Sequence, residues 1–187
     1  MDERRAADRN RAGASDVRRI ETADHLILDR SRAADLRHKY LDGVELDPDS
    51  VIFVDLSGMR AVTPGAADEL LVHWLGSTPD APTVAVVTAD PYVQQSIDAA
   101  LSQEGRAMYV LPNVTDIKSA QVVGFLDEGK RRLVARVQGH GEIGVTDAAK
   151  ELNASEDIAN KALNDLEHQG LLHRRGAAYI DPFVHRG

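Results

Sequence analysis

Residues 51–56 read VIFVDL, an apolar run broken only by Asp55. A strand with one solvated face alternates apolar and polar residues. A continuous run is instead suited to burial on both faces, as in parallel sheets. Two further runs repeat the pattern, TVAVVTA over 83–89 and AMYVL over 107–111. The segments between them carry helix signals. Pro64 stands where a helix starts, and Ala67, Leu70, Leu71, Trp74 and Leu75 form the stripe that follows. Asp90-Pro91 opens another helix ending near Gly105. Buried strands separated by helices of this length predict an α/β fold with a largely parallel sheet.

Upstream, His25–Leu28 reads as a short strand, and Ser31 as the cap of a helix through Tyr40. Residues 1–19 hold almost no large apolar side chains and mix both charge signs, which predicts a disordered tail. An Arg-rich arm touching phosphates is the sharper reading, and the interleaved acids oppose it. After Asn113 the character changes. Val122, Leu126, Leu133 and Val137 recur at helical spacing, although Gly124 and Gly129 interrupt it. A boundary between Pro112 and Gly129 divides the chain into a first domain, 20–117, and a smaller second one, 118–187. The division predicts that a fragment near 20–115 stays folded when the chain is cut.

Cysteine is absent, so disulfides and thiolate metal sites are excluded, and the seven histidines are scattered without ligand spacing. No cofactor or metal is expected. No apolar run approaches the length of a membrane span, and the N-terminus is charged, which predicts a cytoplasmic protein with no membrane partner. The net charge of −8 is unevenly spread: residues 23–117 carry fifteen acids against six bases, whereas 118–187 carry ten of each. The middle of the chain would repel a polyanion, while the C-terminal part is neutral enough for local basic patches to matter.

In that C-terminal part Thr146 reads as the cap of a helix to Leu152, Asn153-Ala154 as a turn, and Ser155 as the cap of a helix to Gln169. Gly170 stops the second helix, and Leu171–His173 and Ala177–Ile180 flank an Arg-Arg-Gly turn. Ala148, Ala149, Leu152, Ile158, Ala162, Leu163 and Leu166, then Gly170-Leu171-Leu172, Arg175-Gly176 and Tyr179, resemble the winged helix-turn-helix family over about residues 125–183. The core arc of the second helix is Ile158, Ala159, Ala162, Leu163 and Leu166, and its opposite face carries Asp157, Asn160, Lys161, Asn164 and His168. Asn160 and Asn164 suit adenine, Lys161 a guanine edge or a phosphate, and Arg174 and Arg175 at the turn suit phosphates or a minor groove. Glu156 and Asp157 oppose that reading, although they also suit the helix dipole. A winged helix used for protein contact or dimerisation is the plainer alternative.

Three readings compete for Asp55. A phospho-acceptor receiver needs an acidic pair after its first strand and a lysine after its last; here the first strand offers only Asp29, and the last ends Tyr-Val-Leu-Pro-Asn. A hydrolase needs a strained turn around its nucleophile, and Ser57 lacks the Gly-x-Ser-x-Gly pattern. The third reading is an interaction module. VIFVDLSG, Val62 and a helix starting near Pro64 resemble the STAS family, the α/β fold of anti-sigma-factor antagonists. LILDRSRAADL (26–36), VDLSG (54–58) and Ala67-Asp68-Glu69-Leu70 more closely resemble a bacterial STAS-like family of unknown function, over about residues 20–117. The antagonists carry a phosphorylated serine at the start of that helix. Gly65 stands in its place here, and Thr63 is the only hydroxyl nearby. Asp55 then reads as a structural group accepting amide hydrogen bonds across its turn.

These expectations make the chain a bacterial, non-enzymatic regulator of transcription, in which a STAS-like domain controls a winged-helix domain. Duplex DNA meets Asn160, Lys161, Asn164, Arg174 and Arg175. A protein partner docks at Asp55, Ser57, Thr63, Asp68 and Glu69. The resemblance implies a histidine-kinase-like ATPase as that partner, and a homodimer is compatible with the winged helix. The alternative is an adaptor with both domains binding proteins and no DNA.

Overall fold

A computed structural model of the chain describes residues 15–43, 50–76 and 83–183. Its centre is a sheet of five strands: β1 (Ser15–Arg19), β3 (Val51–Asp55), β5 (Thr83–Val87), β6 (Ala107–Leu111) and β7 (Gln121–Gly124), in the order β1-β3-β5-β6-β7. The first four are parallel and β7 is antiparallel to β6. β2 (Leu26–Ile27) and β4 (Ala61–Val62) pair in parallel as a separate two-stranded ladder.

The absence of polar alternation in VIFVD has the expected consequence: every residue of β3, β5 and β6 is buried. Successive side chains point to opposite faces. Ile52, Val54, Val84, Val86, Met108 and Val110 belong to one core, shared with the helices that connect the strands. The first, α1 (Arg30–Tyr40), buries Ala33 and Leu36. The second, α2, is α-helical over Pro64–Ala67, a π-helix over Asp68–Val72 and α-helical again over His73–Gly76. The third, α3 (Pro91–Gln103), buries Val93, Ile97, Ala100 and Leu101. Thr63 and Asp90 cap α2 and α3 from the position before a proline, where the missing N–H costs nothing.

Val51, Phe53, Ala85, Val87, Ala107, Tyr109 and Leu111 point the other way and need a cover. The chain after β7 supplies it: α4 (Glu128–His140), β8 (Glu142–Gly144), α5 (Val145–Leu152), α6 (Glu156–His168), β9 (His173–Arg175) and β10 (Ala178–Ile180). The three short strands form an antiparallel sheet in the order β8-β10-β9. Leu133, Val137, Leu163, Leu166, Leu171, Leu172, Tyr179 and Phe183 share one core with the second sheet face. The Phe183 ring lies 6.3 Å from Phe53 and 4.9 Å from Tyr109, edge-on to the latter. Three hydrogen bonds of 2.9 Å cross the seam, from the Thr83 hydroxyl to the Gly170 carbonyl, the Tyr109 hydroxyl to the Leu171 carbonyl, and the Ala107 amide to Gln169 Oε1.

Several local expectations need correction. Residues 15–19 form β1, an edge strand paired with β3 from Ser15 opposite Val51 to Arg19 opposite Asp55. Its polar composition suits an edge, where charge discourages further pairing. Residues 1–14 of the expected tail lie outside the described residues. The helix after β2 is capped by Asp29, whose carboxylate accepts from the Arg32 amide at 2.8 Å, and not by Ser31. Val122 lies in β7 and not in a helix, so the sheet continues past residue 117 and the change of layer falls at 125–127. Gly124 makes that change possible. It has φ +91, and a Cβ there would stand 2.3 Å from the Arg106 carbonyl oxygen. The N-cap of α5 is Gly144, not Thr146, whose hydroxyl donates to Glu156 at 2.7 Å.

Candidate functional site

Two surfaces carry the residues singled out from the sequence. The first surrounds the C-terminal end of β3. Asp55 is only 4 % exposed. Its Oδ1 accepts from the Ser57 amide at 2.9 Å, and its Oδ2 from Arg19 Nε at 2.9 Å. Burial pushes the Asp55 carboxyl up, but the Ser57 hydroxyl and amide together with Arg19 outweigh it and hold the group below the ordinary range. Arg19 leans over the aspartate from the adjacent strand and is itself largely open to solvent. Asp55 is therefore a turn anchor closed on both oxygens, with little surface left for a docking partner.

The other members of the predicted docking set are also engaged. The Thr63 hydroxyl donates to the Leu28 carbonyl at 3.0 Å and accepts from the Ala66 amide at 3.2 Å. Asp68 pairs with Arg30 at 2.7 Å, and Glu69 with Arg37 at 3.1 Å. Both acids sit in the π-helical turn of α2, and both arginines come from α1, so the pairs fasten one helix to the other. Ser57 is the exposed member, on a turn with Gly58 and Arg60. A hollow of about 460 Å³ is lined by Asp68, Val72, His73, Gly76, Glu104 and Arg106. None of Asp55, Ser57 and Thr63 lines it. Among the described residues no group of three or more His, Asp or Glu could hold a metal ion. No described helix is long and apolar enough to cross a membrane.

The second surface is the outer side of α6 and the β9–β10 hairpin. Asn160 and Lys161 are exposed on α6, and Arg174 and Arg175 are exposed at the hairpin. The Arg174 guanidinium lies 5.7 Å from the centre of the Tyr179 ring. Asn164 is only half exposed, and its Oδ1 accepts from the Tyr179 hydroxyl at 2.6 Å. The bond braces the hairpin against α6 and engages the amide oxygen that adenine reading would use. Ile158, expected in the core arc, is 59 % exposed. It stands in the first turn of α6 beside Asp157, while Ala159, Leu163 and Leu166 are the buried residues.

Sequence reasoning missed Arg19, because it falls in a stretch read as tail. The signal available was Val17 and Ile20 flanking the Arg18-Arg19 pair, too short to separate a strand from a charged arm. It also missed the Asn164–Tyr179 bond, which joins residues fifteen apart through a turn and a hairpin. No protein-family model matches the chain, and no curated protein matches it.

Proposed function

We propose that the chain is a DNA-binding regulator whose C-terminal layer is a winged helix, mounted on a STAS-like α/β sheet. The observation that carries this reading is the element order α4-β8-α5-α6-β9-β10, with β8-β10-β9 antiparallel and Gly170 stopping α6 before the hairpin. In such an arrangement the second helix of the helix-turn-helix enters a major groove and the hairpin reaches the adjoining backbone. Asn160 and Lys161 are the exposed groups suited to base edges, and Arg174 and Arg175 those suited to phosphates. Two copies on one site would place half-sites about one helical turn apart. The α/β layer meets a protein partner at the Ser57-Gly58 turn, for which the family resemblance suggests an ATPase. The protein then acts in the cytoplasm on transcription.

The test is selection from a randomised duplex library at low salt, followed by binding of the enriched sequence. Replacing Asn160 by Ala should relax base preference by about 1–3 kcal/mol. A selection that enriches nothing sinks the reading. The adaptor alternative then stands, and one observation favours it. Ile158, beside Asp157 and Glu156, gives the first turn of α6 an apolar and acidic tip, which fits a protein surface better than phosphates.

A further inference from the structure

The arginines of the α/β layer are mostly spent on neighbouring acids. Arg18 and Arg19 of β1 pair with Asp16 and Asp55, and Arg30, Arg32 and Arg37 of α1 pair with Asp68, Asp24 and Glu69. Helix α4 differs. Arg131, Arg132 and Arg136 are all exposed, and no carboxylate among the described residues lies within ion-pair distance of any of them. Arg131 donates only to the Leu126 carbonyl at 3.5 Å, and Arg136 lies 3.0 Å from His140 Nε2. Lys150 and, more weakly, Arg136 hold the carboxyl of Asp147 in α5 below the ordinary carboxylate range.

The spacing puts these cations on one side. Leu133, Val134 and Val137 form the buried stripe of α4, and the arginines fall on the opposite arc, with Arg132 and Arg136 one turn apart. Ala135 and Gly139, both small and exposed, lie on the same arc. Glu128 is the acid of the same face, and it sits in the first turn where it suits the helix dipole. The helix is joined to α6 through Lys130, whose Nζ lies 3.0 Å from Asp165. In a chain of net charge −8, three exposed arginines on one helix face, without an ion-pair partner among the described residues, depart from the acidic background.

We propose that the outer face of α4, through Arg131, Arg132 and Arg136, is a phosphate-contacting surface for duplex DNA. It supplies sequence-independent affinity that the weakly basic α6 face lacks. This rests on the DNA-binding reading above and adds to it a second, non-reading contact. A guanidinium suits phosphate because its planar fork matches two oxygens at once. Each phosphate neutralised releases condensed counterions, so the contact is legible in the salt dependence of binding.

The experiment compares the full chain with R131A/R132A/R136A and with R131K/R132K/R136K, using a mixed-sequence 24-base-pair duplex between 20 and 200 mM salt. Thermal melting of all three serves as the folding control. The alanine variant should melt like wild type and lose about 2.7 in the slope of log affinity against log salt, about 0.9 for each arginine. The lysine variant should keep the slope. An unchanged slope in the alanine variant, with wild type still binding, overturns this inference and leaves the α6 reading intact. No duplex binding by wild type even at 20 mM salt overturns both. Arginine-dependent binding to vesicles containing anionic lipid, with none to duplex, overturns it in favour of a membrane surface.

Discussion

Asp55 stands where burial alone would favour the neutral acid, and it is kept ionised by two hydrogen bonds from Ser57 and by Arg19 on the next strand. Its carboxyl therefore binds a proton less readily folded than unfolded. The stability it supplies is present above the unfolded value, near pH 4, and is lost as pH falls through the lower folded value. Replacing Asp55 by Ala should cost about 1–3 kcal/mol at neutral pH, measured by urea unfolding. The variant should also lose part of the wild-type decline in melting temperature as pH falls below about 4. Equal acid sensitivity in the two proteins would deny the aspartate this role. Asn164 gives a second test at the same scale. Its place on α6 was legible in the sequence, but its engagement by Tyr179 was not, because the hairpin had first to fold back on α6. Asn164→Ala and Tyr179→Phe should each cost about 1 kcal/mol, and the double variant should cost less than their sum. If Asn164→Ala instead relaxes base preference without loss of stability, the bracing role is wrong.

Elements with a strong period or a sharp boundary were legible, because their signals are local. β3, β5 and β6 announced themselves by continuous apolar runs, and α3 and α6 by the caps Asp90 and Ser155. β1, β7 and β8 were not legible. Each is an edge strand of three to five residues with mixed polarity, and β1 and β8 are defined by partners distant in sequence. The helical spacing of Val122 and Leu126 was misleading for a related reason: Gly124 turns the chain between them. A Gly124→Ala variant would force a Cβ against the Arg106 carbonyl and against Leu101 in a backbone conformation that L residues avoid. It should lower stability by more than about 1 kcal/mol, read from the urea midpoint. A neutral result would mean that the β7–α4 junction can relax. The hairpin makes a different prediction. R174A/R175A should reduce the salt slope of duplex binding by up to about 1.8 and weaken all sequences alike, since phosphate contacts carry little base information. A change of sequence preference would place these arginines at base edges.

At the scale of the whole molecule, the two halves that the charge distribution and the broken periodicity set apart share one core. The expected fragment near 20–115 would lack both β7 and the layer that covers Val51, Phe53, Ala85, Val87, Ala107, Tyr109 and Leu111. Phe53 and Tyr109 alone would return roughly 300–500 Å² to water. That approaches the largest apolar patches found on stable monomers, about 300–600 Å², before the five aliphatic residues are added. The Tyr109 hydroxyl, its ionisation suppressed by burial, would also lose the Leu171 carbonyl, and Thr83 the Gly170 carbonyl. A chain ending at Gly124 should therefore fail to melt cooperatively and should bind a hydrophobic dye, while the full chain should unfold in one transition with equal calorimetric and van't Hoff enthalpies. Phe183→Ala offers a gentler form of the same test, since it removes the ring packed on both Phe53 and Tyr109 from the end of the covering layer. It should cost about 3–5 kcal/mol and lower that single transition without splitting it. Two resolved transitions, or a truncated chain that melts sharply, would show that the sheet and its cover are separate folding units. A signal from a partner at the Ser57 turn could then reach α6 by moving one unit against the other. With a shared core, the signal would have to pass through β3 and Phe53 into Phe183, or act only by blocking the surface.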